Sequence, residues 1–118
     1  MVLQLIDLGH EVDYIDIRPE IAPYSFSVRL DDKTYIFTIK YNDWGSFYTA
    51  DLRTMQGEIL AFGDPVRYGR ALFNSTEDER FPMPVIIPQS VADNDVSEVT
   101  KDNFGVTVRL YLHERRVS

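Results

Sequence analysis

Two histidines, a short Asp-Asn-Asp run, a pair of acids and a cluster of aromatic residues are the groups here whose types and spacing could do chemistry. His10 lies among Asp7, Glu11 and Asp13, which would make a weak metal site if they converged. His113 stands at the other end of the sequence, and a metal centre needs several ligands in one place. The expected reading of the His10 region is a solvated acidic surface. Asp93-Asn94-Asp95 has the opening of a calcium loop, but the required glycine at position six and glutamate at position twelve are replaced by Glu98 and Phe104. A turn is expected there. Asp51 and Glu58 would meet across a hairpin, as a solvent-facing pair rather than a glycosidase dyad. The sequence holds no nucleophile elbow, phosphate loop, dinucleotide fingerprint or zincin motif. It is therefore expected not to be an enzyme, and no cofactor or metal is expected.

The aromatics Tyr35, Phe37, Tyr41, Trp44, Phe47 and Tyr48 crowd one stretch. On strands they would form a stacking platform for a sugar or a single-stranded nucleic acid. A formal net charge of −7 argues against the nucleic acid, because phosphate binding needs a surplus of Lys and Arg on one face. The favoured reading is that one face packs a core and the remainder supports sheet edges or a protein interface. A small ligand-binding β-barrel using residues 35–48 is the alternative.

These groups must be positioned by strands. Tyr24-Ser-Phe-Ser-Val-Arg-Leu30 alternates apolar and polar residues, the pattern of a half-buried strand. Asp31-Asp32-Lys33 turns the chain. Thr34 to Tyr41 follows, rich in β-branched and aromatic residues, with Tyr35, Phe37, Ile39 and Tyr41 on one face. Asn42-Asp43-Trp44-Gly45 closes a second hairpin, with Gly45 expected at positive φ. Ser46 to Arg53, a turn at Thr54 to Gly57, and Glu58 to Phe62 complete an antiparallel meander.

Around that meander, Val12 to Ile17 is a strand candidate and Arg18 to Pro23 a proline-bearing linker. Gly63 to Phe73 reads as a loop with brief strand character at Val66 to Tyr68. Asn74 to Arg80 is a polar tract in which Ser75 or Thr76 would cap one helical turn, with Glu77 to Glu79 at its positive end. A last strand runs from Gly105 to Leu112, with Val106, Val108, Leu110 and Leu112 on one face and Thr107, Arg109, Tyr111 and His113 on the other. The expected fold class is all-β: an antiparallel meander closing into a small barrel or sandwich, with at most short helical turns. At 118 residues one domain is expected, burying roughly two thirds of its unfolded surface. Residues 1–23 would supply an arm and first strand, 24–73 the core meander, and 74–118 an insert and terminal strands.

Two apolar segments exceed what such a domain needs. Met1 to Leu8 would be an edge strand or a docking arm, and Phe81 to Pro88 an edge strand or extended buried segment. Val2, Leu3, Leu5, Ile6, Phe81, Met83, Val85 and Ile87 are the candidate partner contacts, unless each segment folds back on its own core. Cysteine is absent, which excludes a disulfide framework and thiolate sites. No apolar run approaches the ~20 residues of a membrane helix, and the first residues lack the charged flank and long apolar core of a signal peptide. Use in the cytoplasm, or assembly there into something larger, is expected, with neither membrane nor nucleic acid as partner.

The order Tyr35-Ile-Phe-Thr-Ile-Lys-Tyr-Asn42, Gly45-Ser-Phe-Tyr-Thr-Ala-Asp-Leu52, Gly57-Glu-Ile-Leu-Ala-Phe-Gly63 and Val66-Arg-Tyr-Gly69 resembles the baseplate plug proteins of contractile-tailed phages and prophages. The likeness covers mainly residues 24–73, and Gly105 to Leu112 fits the terminal strand of such proteins. Residues 1–23 and the Asn74 to Arg80 insert lie outside the pattern. The resemblance implies a structural role without catalysis, near the hub of a tail baseplate in the virion, assembled in the host cytoplasm. It also implies contacts with other tail proteins, with a homo-oligomer as a further option.

Overall fold

The computed structural model describes residues 3–7, 11–73, 78–91 and 95–113, with the backbone alone for 3–7 and 11–13. Among them run β1 (Leu3–Asp7), β2 (Glu11–Ile15), β3 (Tyr24–Leu30), β4 (Lys33–Asn42), β5 (Phe47–Thr54), β6 (Ile59–Pro65), β7 (Val85–Gln89) and β8 (Arg109–His113). They form two antiparallel four-stranded sheets, ordered β1-β2-β8-β7 and β3-β4-β5-β6. One 3-10 turn, Pro19–Ile21, is the only helical structure among the described residues. The all-β expectation holds, and the meander of β3 to β6 is present in sequence order. The sheets do not close into a barrel: β8 pairs with β2 and β7, and among the described residues β6 pairs only with β5.

Local chemistry explains the meander. Leu30 pairs with Lys33, leaving a two-residue loop whose Asp31 and Asp32 both take positive φ (48° and 66°). That is the primed turn whose twist matches antiparallel strands, and aspartate tolerates it. Between β4 and β5 the expectation for Gly45 fails, because Ser46 takes the positive φ (58°) instead. Glycine at 45 leaves room for the Phe47 ring, which would have to move if a Cβ were present there. Asn42 organises this turn, its Oδ1 accepting the Trp44 and Gly45 N–H groups at 3.0 and 3.1 Å.

The core follows from alternation. Phe37 pairs with Leu52, and Ile39 with Ala50, and all four are fully buried. Ile15, Ile86, Val108 and Leu110 join them, so one hydrophobic cluster draws on both sheets. At about 25 cal/mol per Å² of apolar surface, each such large side chain contributes about 1.5–3 kcal/mol on leaving water.

Three other expectations need correction. The last strand begins at Arg109, not Gly105, and Val106 is 61% exposed rather than packed beside Val108. The cause is Asn103, whose carbonyl accepts the N–H groups of Val106, Thr107 and Val108 while its side chain bonds Thr100 N–H and Glu98 C=O. These local bonds replace a ladder. Tyr111, expected on the face away from the core, is nonetheless buried, edge-on to Tyr14 at 5.6 Å between ring centres. β6 continues through Gly63 to Pro65, with register shifts against β5. The proposed cap at Ser75 or Thr76, and Asp93 and Asn94, lie outside the described residues; Asp78 to Arg80 form a turn.

Candidate functional site

Strand edges and exposed apolar side chains are the features here that could engage a partner. β1 and β7 are the outer strands of one sheet, and β3 and β6 those of the other. β7 is closed off. The Ile86 and Pro88 carbonyls accept the Leu72 and Gly69 N–H groups at 2.8 and 2.7 Å, and Pro88 has no donor to offer. Among the described residues no backbone bond reaches the outer sides of β1, β3 or β6. Those edges carry main-chain donors and acceptors that another strand would satisfy.

The two segments singled out from sequence are thus the two flanks of one sheet. Leu3, Leu5 and Ile6 lie in β1, in register with Ile15, Asp13 and Val12 of β2. Val2 lies outside the described residues. In the other segment Met83 is 52% exposed, Val85 and Ile87 are half-buried on β7, and Phe81 packs against the core cluster.

Sequence reasoning did not single out β6. Its Ile59 and Phe62 are 61% and 73% exposed, and Met55 in the preceding turn is also exposed. The signal was present, because Ile59-Leu-Ala-Phe62 is an unbroken apolar run and a strand cannot hide both faces of such a run against one core. A groove lies along this edge, lined by Ala61, Phe62, Asp64, Arg70, Phe73 and Phe81. Asp64 fixes its wall by accepting the Phe73 N–H at 2.8 Å.

The acids do not form a dyad. Asp51 is buried, not solvent-facing. It ion-pairs with Lys40 at 2.8 Å and accepts the Gly63 N–H at 2.7 Å. The Lys40 ammonium in turn sits 3.9 Å over the Phe62 ring. Glu58 pairs instead with Arg80, at 2.9 Å, which also grips Asp78 at 2.6 Å. The hydrogen bonds from Arg80 hold the Asp78 carboxyl down at about 2. The Arg80 carbonyl accepts the Tyr35 hydroxyl at 2.9 Å, so the 78–80 turn is tied to β4. His113 bonds the Gln89 side chain at 2.7 Å, and His10 lies outside the described residues.

The aromatic cluster does not form one platform. Tyr35, Phe37 and Tyr48 are buried in the core, Tyr41 packs edge-on to Tyr48, and Phe47 is covered by the Arg67 guanidinium. Trp44 stands alone and fully exposed at the tip of the β4–β5 hairpin.

A family model described as cyanophage baseplate Pam3 plug gp18 matches residues 12–115. That span takes in β2 to β8. The comparisons with curated proteins and with solved structures return no match.

Proposed function

The chain belongs to the baseplate plug family, and from that membership we propose that it is a structural subunit of a phage or prophage tail baseplate that binds neighbouring tail proteins and performs no catalysis. The observation that carries this reading is the family match across both sheets. Three strand edges unpaired among the described residues and the exposed Trp44, Ile59, Phe62 and Met83 support it, since added strands give main-chain hydrogen bonds and apolar side chains give burial. In this reading residues 1–118 act as one unit, the two sheets packed as a sandwich over their shared core. The β1 edge and the 81–87 segment are contact surfaces, joined by the β6 edge. Assembly takes place in the host cytoplasm, and neither nucleic acid nor membrane is a partner.

The test is co-expression of the tagged protein with its neighbouring genes, followed by mass spectrometry of the purified complex. Recovery of other baseplate proteins in fixed ratio supports the proposal. Recovery of the protein alone with a bound small molecule would overturn it in favour of a ligand-binding module, and recovery of a homo-oligomer alone would replace the neighbouring subunits with copies of itself.

A further inference from the structure

A second groove lies away from the strand edges discussed above, and its chemistry differs. It is lined by Tyr41, Ser46, Val66, Arg67, Val99 and Lys101, among others. Arg67 and Lys101 have no carboxylate within ion-pairing distance among the described residues, although the chain carries 19 acids against 12 basic residues. Arg29, Lys40, Arg70 and Arg80 have such partners, whereas Arg18, Lys33, Arg53 and Arg109 also have none among the described residues; what sets Arg67 and Lys101 apart is that they line one groove.

Both cations are held in place. The Arg67 guanidinium lies 4.3 Å over the Phe47 ring, and the Lys101 ammonium lies 4.1 Å over Tyr41. Their backbones are fixed as well. Val66 N–H bonds the Tyr48 carbonyl at 2.9 Å, and Arg70 N–H bonds the Arg67 carbonyl at 3.2 Å. Lys101 sits inside the turn that Thr100 and Asn103 close with reciprocal side-chain bonds of 2.8 and 3.2 Å. An aromatic face orients a cation without neutralising it, so both charges remain available to an anion. The half-buried Val99 provides apolar lining beside them, while Val66 lies buried beneath the groove floor.

We infer that this groove binds an acidic, extended segment of a protein partner, its carboxylates reaching Arg67 and Lys101 and an aliphatic side chain lying on Val99. Glu98 also lines the groove, and its charge sets an upper limit on how tightly such a segment is held. The inference does not depend on the baseplate reading, because the groove's chemistry is independent of where the protein assembles.

The experiment uses the full chain and an acetylated, amidated peptide of alternating Glu and Val, with a Lys-Val peptide and inorganic phosphate as comparisons. Binding is followed by heteronuclear NMR, with shifts expected at Arg67, Lys101, Val66 and Val99. The double variant Arg67→Gln, Lys101→Gln should weaken Glu-Val binding about tenfold, the upper scale of two exposed charge pairs. Glu98→Gln should strengthen it, and Arg29→Gln, which removes a cation elsewhere, should leave it unchanged. Higher salt should weaken it. Equal binding of the Lys-Val peptide, or no loss in the double variant while its spectrum stays folded, would overturn the inference. Phosphate competing as strongly as the peptide would overturn it in favour of a small-anion site. Concentration-dependent dimerisation that the double variant abolishes would replace the partner protein with a second copy of the chain.

Discussion

Gly105 offers the sharpest test of how the two sheets are joined. It sits at φ +84°, and a Cβ built there would lie 2.9 Å from Cδ and 3.2 Å from Cγ of Pro19, in the 3-10 turn that leads from β2 to β3. Gly57, in the β5–β6 turn, has a similar φ of +91° but nothing within 4 Å of the same point. The two glycines therefore separate backbone strain from crowding. Alanine at either site adopts a left-handed backbone at a cost of about 1–2 kcal/mol, partly offset by about 0.4–1 kcal/mol from a less flexible unfolded chain. Only Gly105→Ala adds the crowding against Pro19, which costs about 1–3 kcal/mol in a packed site. Urea unfolding followed by circular dichroism should place the Gly105→Ala midpoint below that of Gly57→Ala by about 1 M, taking a slope of about 1–3 kcal/mol per M. Adding Pro19→Ala should recover part of the Gly105→Ala loss, and the double-mutant cycle isolates that coupling from the effect of Pro19→Ala alone. Equal midpoints for the two alanine variants, or a coupling within about 0.5 kcal/mol of zero, would refute the account.

Other outcomes follow from the same structure. Asp51→Ala should destabilise by about 1–3 kcal/mol in urea titration, since it strands the Gly63 N–H and the half-buried Lys40 ammonium, while Asp51→Asn should cost less because it keeps an acceptor for Gly63. An NMR titration should find the Asp78 carboxyl near 2 in the parent and near its ordinary 3.8 in Arg80→Met. Because the folded value is depressed, the contribution of this contact is present above pH 3.8 and is lost as pH falls through about 2. Burial raises the hydroxyls of Tyr35, Tyr48 and Tyr111 above 10.0. Stability that they supply below pH 10.0 should therefore fade as pH rises through their folded values, read as tyrosinate absorbance appearing together with unfolding. Trp44 is the one tryptophan and is fully exposed, so emission should be solvent-like in the isolated protein and should blue-shift if a baseplate partner covers the hairpin tip. Trp44→Ala should leave the unfolding midpoint unchanged.

The meander was legible because its signals are local. Alternation from Tyr24 to Leu30 and the aspartates at 31 and 32 specify a strand and a tight turn without reference to the rest of the chain. The first sheet was less legible, since the pairing of Tyr14 with Tyr111 joins residues that no window of sequence shows together. The error at Gly105 to Thr107 has a definite cause: apolar alternation suggested a strand, but a single asparagine captured the backbone donors first. The candidate contact surface was half legible. The apolar excess of residues 81–87 could be read directly, whereas the exposure of Ile59 and Phe62 depends on which face of β6 the core takes. Asp51 was misread because burial depends on its neighbours Lys40 and Gly63, which its position in the sequence does not reveal.

The division into two sheets also sets an order of events during folding. β3 to β6 are consecutive hairpins, so each pairing closes only a short loop. β8 must find β2 across most of the chain, and closure entropy grows with the logarithm of the loop, about 0.6 kcal/mol per doubling. Local pairings form faster than distant ones. As the chain leaves the ribosome the meander can therefore form first, while β2 waits for residues 109–113 and has only β1 as a neighbour. During that interval the open side of β2 is a template for any strand nearby, another nascent copy included. The polar stretch between β7 and β8 then acts as a delay line, and its length sets how long the young molecule remains open to mispairing.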